Sequence, residues 1–127
     1  MPDNLHTEIE LLRAAYVGFN ARDIDATLAT MAIDVAWPRA FKGGFVCGHQ
    51  AVREYWTEQW SEIDPHVDPL SFHREDDGCV LVAVHQVVKD RMGMVLADDR
   101  VGHRFAIQSG LITKMEVCSP PPSDVQV

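Results

Sequence analysis

Positive charge is scarce in this chain: eleven lysines and arginines stand against nineteen aspartates and glutamates, for a net charge of −8. Such a surface repels phosphate backbones and anionic lipid, which excludes nucleic acid and membrane surfaces as partners. Long apolar runs are missing as well. No stretch approaches the roughly 18 apolar residues of a transmembrane helix, and the opening MPDNLHTEIE has neither a basic nor an apolar leader region. We therefore expect a cytoplasmic protein. Cysteine is limited to Cys47, Cys79 and Cys118, an odd number without CxxC or Cys/His spacing. That excludes a disulfide framework and offers no zinc site, so the thiols read as buried and inert. The HExxH, P-loop, GxGxxG and GxSxG signatures are all absent, leaving no motif for metal, nucleotide or nucleophile-elbow chemistry and no expected cofactor.

What is present is an ordinary globular composition, 46% hydrophobic and 24% charged over 127 residues. This describes one domain large enough to bury about two thirds of its unfolded surface. No internal repeat or domain boundary interrupts it. Leu5, Ile9, Leu12, Tyr16 and Phe19 recur at helical spacing, predicting a helix from Leu5 to Asn20. Asp23 stands as the N-cap of a second, short helix with Ile24, Leu28 and Met31 on its inner side. DVAWP reads as a short strand breaking at Pro38. The Gly43-Gly44 pair and Gly48 form a tight connection into a third helix, from about His49 to Ile63, with Val52, Trp56, Trp60 and Ile63 on one side.

Asp64-Pro65 ends that helix, and strands follow at LSFHRE, CVLVAVHQVVKD, Val95–Ile107 and LITKMEVC. Helices first and an antiparallel meander after them predict an α+β domain with a core over about 5–118 and a flexible tail over 119–127. In the strand from Val95 to Ile107 two ionisable residues, Asp99 and His103, share a face with Val101 and Phe105. An acid or imidazole turned inward is costly unless it is paired, neutral or facing a cavity. Strand geometry separates the two by roughly 13 Å, leaving His103 deep and Asp99 toward the rim. In the preceding strand His85 or Gln86 must also turn inward, and we read His85 as the inward one. The turn near DRMG has two, three or four residues, and one residue more or less reverses the faces.

The segments GFNARDIDATLATMAIDVAWP, GHQAVREYW and HRFAIQSGLITKMEV resemble landmarks of the nuclear-transport-factor-like superfamily, in its SnoaL-like and ketosteroid-isomerase-like branch. The resemblance spans about residues 5 to 118. It implies a cone of three helices against a strongly curved, mostly antiparallel sheet, a deep pocket, and a homodimer formed through the convex sheet face. It also places the branch's general base near Trp37, Pro38 and Arg39, where no acid stands, its helix tyrosine nearer Ala15 than Tyr16, and its oxyanion aspartate at His103. Ketosteroid isomerisation is thereby disfavoured. The resemblance further implies that His103 occupies the acid/base place of the SnoaL-like cyclases.

The candidate catalytic residues are accordingly His103, Asp99 and His85. Tyr16, Trp37, Phe41, Trp56, Trp60, Phe105 and Met115 would wall a site for a flat apolar ligand, with Arg39 as the positive group at its mouth. Two functions remain open. One is a cofactor-free isomerase, cyclase or lyase acting on a small carbonyl or hydrophobic compound; the other is a non-catalytic ligand-binding or dimerisation domain.

Overall fold

In the computed structural model, which describes residues 5–39 and 42–120, the first apolar stripe closes into helix α1, Leu5–Asn20. Leu12, Ala15 and Tyr16 are buried along it while Arg13, Ala14 and Val17 face out, the period of a helix lying on a core. Asp23 caps α2, Ile24–Leu28, by accepting a bond from the Ala26 N–H at 3.1 Å. The two helices approach closely at Gly18. A methyl group there would run into Thr27 Oγ1 and come within 3.2 Å of the Thr27 backbone nitrogen. Thr27 is buried, and its hydroxyl donates to the Asp23 carbonyl at 2.7 Å, so it has no cheap way to move. Gly18→Ala is expected to cost about 1–3 kcal/mol through overpacking, against alanine's better helix propensity. The check is a lower urea midpoint at unchanged slope.

Helix α3, His49–Glu62, is accompanied among the described residues by six strands: β1 Met31–Pro38, β2 Phe45–Cys47, β3 Ile63–Arg74, β4 Val80–Asp90, β5 Val95–Gln108 and β6 Leu111–Cys118. They form one sheet in the order β2-β1-β6-β5-β4-β3. β1 and β6 run parallel, and the other neighbours are antiparallel. The expected α+β architecture, three helices on a curved and mostly antiparallel sheet, is the one found. No helix among the described residues is long and apolar enough to cross a membrane.

Several boundaries differ from expectation. β3 begins directly at Ile63 and runs through Pro65 and Pro69, whereas its first expected strand residue is Leu70. Its place at the sheet edge explains this, because a proline there forfeits no ladder bond on the open side. Asn20 covers part of that edge. Its side-chain N–H donates to the Val67 carbonyl at 2.8 Å and its Oδ1 accepts from the Val67 N–H at 3.0 Å, in place of a further strand. β1 likewise starts at Met31 instead of at Asp34, so Met31 opens a strand and does not close α2. Of the thiols read as buried, Cys47 is exposed on the short edge strand β2, and Cys79 and Cys118 are half-buried. The tail beyond Pro120 lies outside the described residues.

The register of the β4–β5 hairpin decides what faces the core. Four residues, 91–94, join the strands. Val88 pairs with Ala97 but Lys89 pairs with Val95, which leaves Leu96 as an extra, bulged residue. Beyond the bulge, Gln86 stands opposite Asp99, Val84 opposite Val101 and Val82 opposite His103. Val80, Val82, Val84 and Phe105 are buried on this face, packed with Leu12, Val52 and Trp56 of the helices.

Candidate functional site

The concave face of the sheet and the three helices enclose a cleft of about 660 Å³, counting its open mouth. Tyr16 from α1, Trp37 from β1, Trp56 from α3, His103 and Phe105 from β5 and Met115 from β6 all line it. These are six of the residues singled out in the sequence, brought together from five elements. Alternation along β5 turns His103 and Phe105 inward together, and helical spacing turns Tyr16 toward them from Leu12. The rings pack edge to face: Trp37 meets Trp56 at 5.4 Å and 89°, and Tyr16 meets Phe105 at 6.0 Å and 82°. The walls thus favour a flat, apolar guest.

The polar centre of the cleft is a bond between Tyr16 Oη and His103 Nδ1 at 2.8 Å. Both residues are buried. Burial pushes the His103 imidazole down to about 4 and raises the Tyr16 phenol well above its ordinary value. At neutral pH the pair is therefore uncharged and holds two labile protons, one on each ring. One of them is spent on the bond between the rings. The other remains a donor, as the imidazole Nε2–H or the phenol O–H according to tautomer. An imidazole of such low basicity suits hydrogen-bond donation to an oxygen better than acceptance of a proton from carbon.

A measurable consequence concerns acid. The folded-state value of His103 lies below its ordinary 6.5, so protons bind the unfolded chain more tightly. The stability held above pH 6.5 is lost as pH falls toward 4, by about 3 kcal/mol in all. Urea titrations at pH 7 and pH 4.5 should show this loss in the wild type and a flatter dependence in His103→Asn.

Other expectations are corrected. Gln86, not His85, lines the cleft; His85 points to the opposite face, where its Nε2 meets Asp98 Oδ1 at 2.7 Å. The bulge at Leu96 sets this register, and no count of turn residues could supply it. Asp99, read as a candidate catalytic residue, is exposed and contributes nothing to the cleft lining among the described residues. Trp60 lies behind the wall, 5.8 Å from Trp56 and 5.2 Å from Phe19, with the Arg22 guanidinium 4.9 Å from its ring. Arg39 folds back on its own loop, its Nε donating to the Gly43 carbonyl at 2.9 Å, and stays out of the cleft. Phe41 falls outside the described residues.

Sequence reasoning missed Gln59, Tyr55 and Gln86 in the lining. The spacing Val52, Tyr55, Trp56 and Gln59 carries the helical signal that would have found the first two. Among the described residues no three His, Cys, Asp or Glu side chains gather as a metal site.

Fold and cleft together define a small cone-shaped domain with an aromatic-lined internal cleft. The chain belongs to the SnoaL-like domain family, whose model matches residues 12–115. It is similar in structure to TerC, co-crystallised with polyporic acid, at 28% identity and a TM-score of 0.78 over 89% of this chain and 91% of that one. An NTF2-like protein from Burkholderia pseudomallei superposes with a TM-score of 0.76 at 22% identity, over 87% and 88% of the two chains. RV0760c from Mycobacterium tuberculosis, in complex with estradiol-17beta-hemisuccinate, does so at 0.75 and 18%, over 87% and 92%. None of the curated proteins compared by sequence matches the chain.

Proposed function

We propose that the chain binds a flat, mostly apolar compound bearing a ketone or enol oxygen, and that the Tyr16–His103 pair donates a hydrogen bond to that oxygen. In this reading a base from solvent, entering by the open mouth of the cleft, takes a proton from the neighbouring carbon, the pair stabilises the enolate left behind, and the chain acts as a cofactor-free isomerase, cyclase or lyase. The observation that carries it is the uncharged pair, bonded at 2.8 Å inside an aromatic cleft. A donor held in place among apolar walls is worth more to a developing oxyanion than one in water. The likeness to TerC, crystallised with polyporic acid, supports the small-molecule part. A second reading, binding without catalysis, is favoured by one observation: no carboxylate lines the cleft among the described residues.

The probe is 2-tetralone, a flat ketone with acidic hydrogens beside its carbonyl. Trp37 and Trp56 in the wall should report its binding by quenched fluorescence, and deuterium uptake from heavy water at the carbon beside the carbonyl should report enolisation. Saturable quenching with accelerated uptake is the expected result. Quenching without acceleration would leave the binding function alone, and no quenching would overturn both. The homodimer implied by the family is carried into this proposal and is read by analytical ultracentrifugation.

A further inference from the structure

Beside the aromatic cleft lies a second one, of about 730 Å³ counting its open mouth. Val88, Leu96, Ala97 and Ile63 supply its apolar floor, while Lys42, Glu58 and Glu62 stand at its rim. Tyr55 and Gln59 line both clefts, and the Gln59 side-chain N–H donates to Tyr55 Oη at 2.9 Å. The two clefts are thus neighbours across one polar wall. On the sheet they follow one another directly, since Gln86 faces the first and Val88, the next residue on the same face of β4, faces the second. A two-residue step along a strand is about 6.6 Å, roughly the span of one ring.

Building on the proposed function, we infer that the second cleft is a subsite of the first, and that the ligand is elongated. Its flat oxygen-bearing end lies at Tyr16–His103, and an apolar extension passes the Tyr55–Gln59 wall to rest on Val88, Leu96 and Ala97. The bulge is what supplies the floor with Leu96, which is 57% exposed. Charge at the rim narrows the class further. Lys42 is held by Glu58 at 3.0 Å and also feels the Glu62 carboxylate, so among the described residues the one cation and two carboxylates of the lining leave a net negative charge at the rim. The extension therefore ends in a neutral group or an amine, not in a carboxylate.

Three probes test this: 2-tetralone, 6-(4-aminobutyl)-2-tetralone and 6-(3-carboxypropyl)-2-tetralone. Burial of part of a four-carbon arm should tighten binding of the amine probe about tenfold over 2-tetralone. The carboxylate probe should bind about threefold more weakly than the amine, a gap that salt narrows. Ala97→Phe, which fills the second cleft from its floor, should cancel the advantage of the arm. Leu96→Lys, at an exposed position, brings the rim to zero net charge and should abolish the preference for amine over carboxylate. Equal binding of all three probes by the wild type overturns the subsite while leaving the first cleft intact, as does a loss in Ala97→Phe that falls equally on short and long probes. Failure of 2-tetralone itself to bind overturns the underlying function, and the subsite with it.

Discussion

Replacement of His103 by alanine is expected to weaken 2-tetralone binding by about tenfold to a hundredfold, with loss of whatever acceleration of deuterium uptake the wild type shows. Two costs combine. The ligand oxygen loses the imidazole N–H as a donor, and the Tyr16 hydroxyl, bonded to His103 at 2.8 Å in the wild type, is no longer held in place to donate instead. A buried polar group left unmatched costs about 1–3 kcal/mol, equivalent to that range of affinity. Tyr16→Phe removes the other half of the pair and frees Nδ1. If the two rings act as one donor unit, the double variant should be scarcely worse than either single one, a non-additivity that a double-mutant cycle reads directly. Additive losses would mean that the rings contact the ligand separately. His103→Gln, which retains an N–H donor, should recover part of the binding, whereas a merely packing role for the imidazole would not reward a donor.

Trp56→Ala should be the most damaging single change to stability, at about 3–5 kcal/mol. The indole is wholly buried and sits at the hub of the aromatic wall, edge-on to Phe19 at 5.6 Å and to Trp37 at 5.4 Å and stacked on Trp60 at 5.8 Å. Against a total of about 5–15 kcal/mol for a domain of this kind, such a loss removes a large share. The thermal midpoint should fall by roughly 10–20 °C. Trp56→Phe is expected to be far milder. The Trp56 indole N–H has no acceptor among the described residues, so phenylalanine gives up volume but no hydrogen bond. Thermal melts of the two variants side by side distinguish loss of packing from loss of a polar contact.

What the sequence disclosed and what it withheld divide along physical lines. Helices α1 and α3 were legible because their burial repeats locally, at Leu12 and Tyr16 and again at Val52 and Trp56. The Asp23 cap announced α2 in the same local way. β3 was half hidden, since prolines at 65 and 69 argue against a strand unless its edge position is known, and edge position is a property of the whole sheet. His103 could be singled out from alternation alone, but not its partner: Tyr16 lies 87 positions away in the chain, and only the folded cone brings them together. β4 is apolar on both faces around His85 and Gln86, so its pattern could not choose between them. That choice rested on one unpaired residue in the neighbouring strand.

That residue also separates two parts of the molecule that would otherwise change together. Because Leu96 stands outside the ladder, the tip of the β4–β5 hairpin and the stretch carrying Gln86, Asp99 and His103 keep independent alignments. An insertion or deletion at residues 91–94 can be absorbed as a change in the bulge, without rotating the interior-facing side chains. The tip, with Met92 and Met94 bare to solvent, is thereby a place where the chain can be lengthened, shortened or grafted while the chemistry of the interior stays constant.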